Sequence, residues 1–354
     1  MGHPKILILR LSAMGDVIRT LPAVKALREH FRSSSITWIV EEPSRTLLES
    51  QPEIDEVILF PRRKWVKGMK SVRRWWSTLC EMGRFALGLR RRKFDIVLDF
   101  HGILKSGLLS FLSGSPRRIG YDRKSCKEFN FLFSNVKVKL PEEKVSRFQR
   151  NFSLLKGLEV EVRTSEPRIH IPTEDRMYVN SFFNSLQIPL RKPFLAIHPG
   201  TNAKASFKRW MPDQYASLAD RLIKELGASV ILTWGPEELD QVQDIQKRMK
   251  EPSILSPRTE SLTQLAEVFS HCSLYIGGDT GPMHIASLMG IPVVVIYGPT
   301  DPIENEPFGE HRKVRKEVGC NPCRNRFCSD LRCLKAINVE DVFKAVNEAL
   351  ALTR

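Results

Sequence analysis

The sequence predicts an α/β protein of two Rossmann-like domains, each built on a doubly wound parallel sheet. Short apolar runs alternate with helical patterns along the chain. A Pro-bearing segment, 163–193, interrupts that alternation, and the pattern restarts after it. With 354 residues, the chain is long enough for two domains of ordinary size.

Residues 5–10 read as a buried first strand, followed by a small-residue turn, 11–15, and one helix running to about residue 30. Residues 36–40, 57–60 and 95–100 read as further strands, and 116–123 as a short basic strand and turn. A helix is expected over 144–156. Beyond the Pro-bearing segment, strands are expected at 194–198, 230–234, 272–276 and 291–297, with helices over 212–226 and 339–352. The expected division is 1–172 for the first domain, 173–193 for the connection, 194–338 for the second domain and 339–354 for a terminal helix.

Composition narrows the partners. The formal charge is +15, with a pI near 9.6, which favours nucleic acid, an anionic membrane surface or phosphorylated substrates. No recognised nucleic-acid motif accompanies the charge, and the basic stretch is confined to one domain. No segment is long and apolar enough to span a bilayer, and no signal-peptide pattern opens the chain, so a cytoplasmic protein is expected. Residues 62–93 hold twelve Lys or Arg against one acid, Glu81, with Trp65, Trp75 and Trp76 interleaved. That mixture suits an anionic membrane surface, a phosphate clamp, single-stranded nucleic acid or a merely solvated basic face.

Candidate site residues gather at the ends of expected strands, where open α/β sheets bind ligands. Asp16 begins the first helix, a place equally natural for a capping carboxylate. His101, Lys105 and Ser106 follow the strand at 95–100. Thr201 and Asn202 follow the strand at 194–198, with Lys208 shortly after, and Glu237 follows the strand at 230–234. Asp279, Thr280, Gly281 and His284 lie in the stretch 277–284, whose glycines and helix start let backbone amides approach an anion or a sugar. The dinucleotide, Walker and D-x-D patterns are all missing, so no cofactor or enzyme-held divalent cation is expected. Cys320, Cys323, Cys328 and Cys333 include one pair at zinc-ligand spacing, but their other intervals fit no zinc module. Reduced structural thiols or an occasional disulfide are the expected state.

Taken together, residues 9–18, His198-Pro199-Gly200, Lys208-Arg209-Trp210 and residues 279–284 resemble the ADP-heptose lipopolysaccharide heptosyltransferases, glycosyltransferase family 9. The resemblance runs in order over nearly the whole chain. It implies a GT-B fold, with the acceptor on the N-terminal domain and the sugar nucleotide on the C-terminal one across a cleft. It implies metal-independent, inverting transfer of L-glycero-D-manno-heptose from ADP-heptose to Kdo–lipid A at the cytoplasmic face of the inner membrane. Asp16 matches the family's catalytic carboxylate. Thr201, Asn202, Lys208, Glu237, Asp279, Thr280, Gly281 and His284 match its donor site. Arg63, Lys64, Lys67, His101 and Lys105 match the acceptor side, and Arg123, at the end of the basic turn 116–123, is expected to join them there; the segments around 63–67 and 99–106 resemble heptosyltransferase I, with His101 in place of Gln. A family member with another acceptor or sugar nucleotide is the alternative.

Overall fold

The computed structural model describes residues 3–161, 168–186, 193–201 and 203–352. Contacts divide the chain into two compact units, Met1–Ser165 and Glu166–Arg354.

Every apolar run read as a strand is one, and all pair in parallel. In the first unit β1 (Lys5–Leu9), β2 (Ser35–Val40), β3 (Glu56–Leu59), β4 (Ile96–Asp99), β5 (Arg117–Tyr121) and β6 (Val136–Val138) form one sheet, ordered β3-β2-β1-β4-β5-β6. In the second, β7 (Phe194–His198), β8 (Ser229–Leu232), β9 (Ile254–Leu255), β10 (Leu274–Gly278), β11 (Val293–Ile296) and β12 (His311–Val314) are ordered β12-β11-β10-β7-β8-β9. Counted within its own unit, each sheet runs 3-2-1-4-5-6, the doubly wound order. Central strands covered on both faces must be apolar throughout, which is why 6–9, 194–198 and 293–296 are uniformly buried. The strands β6, β9 and β12 were not expected from the sequence. They are short sheet-edge strands, so their apolar signal is weak.

Two expectations change in detail. The single helix expected over 16–30 is two, Met14–Ile18 and Leu21–His30, because Pro22 cannot donate into a continuous ladder. The stretch 173–193, expected as a connection, holds the helix Thr173–Ser185, which packs on Leu262–Ser270 within the second unit. Asp175 fastens the two, accepting from Ser261 Oγ at 3.0 Å and from Gln264 Nε2 at 2.9 Å. The last helix, Val339–Ala351, packs on β11, β12 and the helix Pro212–Leu226, so it completes the second core. Trp210, wholly inside that core, donates its indole N–H to Ile337 O at 3.0 Å.

Candidate active site

A sheet of this order has one place where the connections leave in opposite directions, between its first and fourth strands. Ligands bind there, beyond the carboxyl ends. In the first unit that place lies between β1 and β4, where Leu9 is paired with Asp99. The chain leaving β1 carries Arg10 and then Asp16; the chain leaving β4 carries His101. The fold therefore gathers residues some ninety positions apart in sequence.

Asp16 is held there by two cations. Arg10 pairs with its Oδ2, and Arg19, one helical turn on, reaches Oδ1 at 2.6 Å. Both guanidiniums are themselves pinned. Arg10 Nη1 donates to Phe100 O at 2.7 Å and Arg19 Nε to Gly15 O at 3.1 Å. Burial works to raise the Asp16 pKa, but Arg10, Arg19, Arg147 and His101 together outweigh it and hold the carboxyl well below the usual carboxylate range. Asp16 is thus ionised, oriented and still about one-fifth exposed.

That balance makes a signed prediction. Were Asp16 to serve as a base, which must be ionised to accept a proton, its acid limb in kcat would lie below the ordinary carboxylate value. Arg19→Met removes one stabilising charge, raises the Asp16 pKa and moves the limb to higher pH. An unmoved profile would detach Arg19 from the ionisation of Asp16.

Beside this pair, Asp99 organises the turn after β4. Its buried carboxylate accepts from the N–H groups of His101 and Gly102, from Ser106 Oγ at 2.9 Å and from Asn130 Nδ2 at 2.7 Å. The turn in turn fixes His101, whose Nδ1 accepts the Leu11 N–H at 3.2 Å. Nε2 then carries the proton of the neutral ring. Burial, with Arg10 and Lys105 nearby, pushes its pKa down to about 3. A histidine with a depressed folded pKa stabilises the fold above its unfolded pKa near 6.5 and loses that contribution as pH falls towards the folded value. At pH 5 the loss is about 2 kcal/mol. His101→Gln, whose amide oxygen can still accept from Leu11, should lessen the stability drop between pH 7 and pH 5 by that amount in urea titrations; an unchanged drop would show that His101 does not carry it.

Lys105 lies close by, donating to Glu41 at 3.0 Å and standing over the Phe60 ring, and Arg62 shares the same Glu41 at 3.7 Å. The other acceptor-side candidates are more dispersed. Arg63 and Lys67 are exposed on the helix Arg62–Met69, Lys64 pairs with Glu81 at 2.9 Å, and Arg123 lies over Phe131. Trp65, which the sequence groups with the exposed tryptophans, is buried against Phe60 and Phe85.

The second unit repeats the arrangement between β7 and β10, where His198 is paired with Gly277. A side chain at 277 would have its Cβ 2.8 Å from His198 O, so only glycine allows the two strand ends to approach. Lys208 reaches across to the loop after β10, donating to Asp279 Oδ2 at 3.1 Å and to Asp279 O at 3.2 Å. Gly281 opens the helix Gly281–Leu288 and Thr280 stands at its N-cap, without a capping hydrogen bond from its side chain. The Thr280 hydroxyl, beside that of Tyr275, makes no hydrogen bond of normal geometry. Thr201 is occupied structurally, its Oγ1 accepting from Arg209 Nε at 2.9 Å. His284 is 2% exposed, within the buried part of that helix. Asn202 lies outside the described residues.

The pair Glu237 and Glu238 shows what a strand-end signal alone misses. Glu237 is exposed, whereas Glu238 is buried under both turns. Its Oε2 accepts from Gly235 N at 2.7 Å and lies 3.4 Å from His198 Nε2, while His198 Nδ1 meets Thr233 Oγ1 at 3.0 Å. Burial lowers the His198 pKa despite that carboxylate. A Cβ at Gly200 would fall 2.2 Å from Glu238 Oε2, so Glu238 props up the turn that carries Thr201. Arg10, Arg19 and Arg147, which hold down the Asp16 pKa, are not singled out as site residues by the sequence; Arg19, three residues beyond Asp16, has helical spacing as a signal. All seven cysteines are free thiols, and among the described residues no group of three or more His, Cys, Asp or Glu is arranged to hold a metal ion.

Comparison with known proteins decides the family. The model of glycosyltransferase family 9 (heptosyltransferase) matches residues 82–333. The chain belongs to this family. It is a glycosyltransferase of the heptosyltransferase type, with the two parallel α/β sheets of the GT-B fold. It is similar to lipopolysaccharide heptosyltransferase 1 of Pseudomonas aeruginosa, 26% identical over 332 residues, 92% of this chain and 87% of that one. It also matches lipopolysaccharide heptosyltransferase 2 of Escherichia coli K12, 24% identical over 325 residues, 88% of this chain and 87% of that one. Its fold is that of a family 9 glycosyl transferase from Veillonella parvula, TM-score 0.78 at 24% identity, covering 99% of this chain and 97% of that one. It is also that of E. coli heptosyltransferase WaaC with ADP-2-deoxy-2-fluoro heptose, TM-score 0.72 at 21% identity, covering 97% and 99%.

Proposed function

We propose that this family 9 enzyme transfers L-glycero-D-manno-heptose from ADP-heptose to the Kdo–lipid A inner core during lipopolysaccharide biosynthesis, inverting the anomeric centre. The observation that carries the reading is the pair of switch points: an oriented carboxylate, Asp16, at one, and the Lys208–Asp279 pair beside an open helix start at the other. Matched relatives named as lipopolysaccharide heptosyltransferases support the same sugar and the same pathway.

In this reading the acceptor hydroxyl attacks the anomeric carbon and the bond to the ADP β-phosphate oxygen breaks. A carboxylate with a depressed pKa is a weak base toward a neutral alcohol. The hydroxyl becomes strongly acidic as its oxygen bonds to the anomeric carbon, so Asp16 takes the proton late in that step. Lys208 and the amides opening Gly281–Leu288 offset the charge gathering on the departing diphosphate. Asp279, freed from Lys208 as the phosphates arrive, accepts from sugar hydroxyls. On the acceptor side, Lys105, Arg63 and Lys67 meet the acidic sugars, and the fixed Nε2–H of His101 is a donor. The similarity of the 63–67 and 99–106 segments favours a type 1 acceptor, a lipid at the cytoplasmic face of the inner membrane. No helix among the described residues is long and apolar enough to cross a membrane, so association at that face would be peripheral.

The test is incubation with ADP-heptose and Kdo2–lipid A, with product read by mass. Transfer of one heptose supports the reading. Failure with this pair alongside turnover of another acceptor or sugar nucleotide moves the chain to a different specificity within the family.

A further inference from the structure

The outer surface of the first unit carries large apolar side chains for which the fold has no use. In the hairpin of helices Arg62–Met69 and Trp75–Arg91 the inward face is complete. Trp65, Phe85 and Leu89 join one core cluster, and Gly68 lies so close to Thr78 that a Cβ would sit 2.2 Å from Thr78 Oγ1. Outward, Val72 is 88% exposed and Trp76 66%, with Met69, Trp75 and Leu79 also exposed. A tightly built hairpin that leaves two indoles in water is not explained by loose packing.

The neighbouring helix, Leu104–Leu112, packs on Trp75–Arg91 and does the same. Leu104 and Leu108, one turn apart, are exposed, and beside them so are Phe129 and Leu132. The turn bearing Phe129 is tied to the start of that helix, Leu104 N donating to Glu128 Oε2 at 3.2 Å and Lys127 N to Gly102 O at 2.9 Å. The sequence gives no hint of this second patch, because which apolar side chains of 104–112 stay exposed depends on the neighbours that folding brings in.

Charge identifies what the two patches meet. Among the described residues Arg63, Lys67, Lys70, Arg73 and Arg74 are exposed and have no carboxylate within ion-pair distance, and Lys124 and Lys127 are exposed beside the second patch. Separate apolar side chains set among uncompensated cations suit a surface that is anionic outside and hydrocarbon beneath. A protein partner's core would be depleted of lysines such as Lys67, Lys70, Lys124 and Lys127. We propose that this face of the first unit is a docking surface for an anionic lipid bilayer, with Trp75, Trp76, Leu104 and Phe129 entering the headgroup layer and the Arg73–Arg74 and Lys124–Lys127 segments holding its phosphates. The choice of a bilayer rests on the reading that the acceptor is a membrane lipid.

Co-sedimentation of the full chain with lipid vesicles, free of donor and acceptor, tests it. Binding is expected to vesicles containing phosphatidylglycerol and not to pure phosphatidylcholine, with a blue shift of tryptophan emission and reversal by salt. Trp75→Ser with Trp76→Ser should weaken partitioning at least tenfold, and so should Leu104→Ser with Phe129→Ser, at unchanged circular dichroism. Arg73→Glu with Arg74→Glu should abolish it. Equal binding to neutral vesicles, no binding, or unaltered binding by the serine variants would overturn the proposal. So would a dimer that shields both indoles, or preference for a single-stranded oligonucleotide over the vesicles. Transfer to a de-acylated, water-soluble acceptor separates this idea from the enzymatic one. A protein that transfers but ignores vesicles sinks only the docking surface, and one that binds vesicles but transfers to no acceptor sinks only the enzymatic reading.

Discussion

Asp16→Asn leaves the ADP-heptose affinity of the protein nearly unchanged and lowers turnover by roughly 10²–10⁴-fold, the range that general-base catalysis contributes. Asparagine keeps the shape of the side chain and can still accept from Arg19, so the helix Met14–Ile18 should survive. What disappears is the negative charge and the proton acceptor. The substitution also leaves Arg10 and Arg19 without their carboxylate, and Arg10 is only 6% exposed. Some loss of stability is therefore expected, because removing one partner of a largely buried pair strands the other charge. Calorimetric binding of ADP-heptose together with steady-state rates separates the two effects. Wild-type turnover by a folded variant would remove Asp16 as the base and reduce it to a structural partner of the two arginines.

Lys208→Ala differs in that binding itself falls. Charge-assisted hydrogen bonds contribute about 1.5–3 kcal/mol, so ADP affinity should fall by roughly 10–100-fold. Turnover falls as well, since charge develops on the same phosphates during the step. Asp279 is 6% exposed and would lose the cation now beside it, so its unpaired carboxylate would repel the diphosphate further. Lys208→Ala with Asp279→Asn should on that account bind ADP better than Lys208→Ala alone. Titration of ADP into the single and double variants measures this, and equal affinities would show that Asp279 does not act on the diphosphate.

These two residues also show how much of the site was legible. Asp16 and Lys208 stand in motifs readable along the chain, each in the segment that follows an expected strand. Their partners were not readable. Nothing local joins Arg10 to Phe100 O, Leu11 to His101, or Lys208 to Asp279, which are 71 to 90 residues apart. Glu237 and Glu238 are equivalent as letters, and only the approach of Gly200 and Gly235 makes the second the buried one. Trp65 and Trp76 likewise share one basic stretch, yet one packs into a core and the other stands in water.

The class of fold follows from the chain alone, because strands buried on both faces must be continuous apolar runs, and such runs alternating with helical patterns imply parallel sheets. The sequence pointed to the family too, through four motifs that resemble, in order, those of glycosyltransferase family 9. The tertiary structure decided strand order, and with it the two switch points, since pairing between β1 and β4 or β7 and β10 is a long-range choice that no local window records. It also decided which charges are compensated. A carboxylate's ionisation and a tryptophan's exposure depend on neighbours brought in by folding, and proximity along the chain does not supply them.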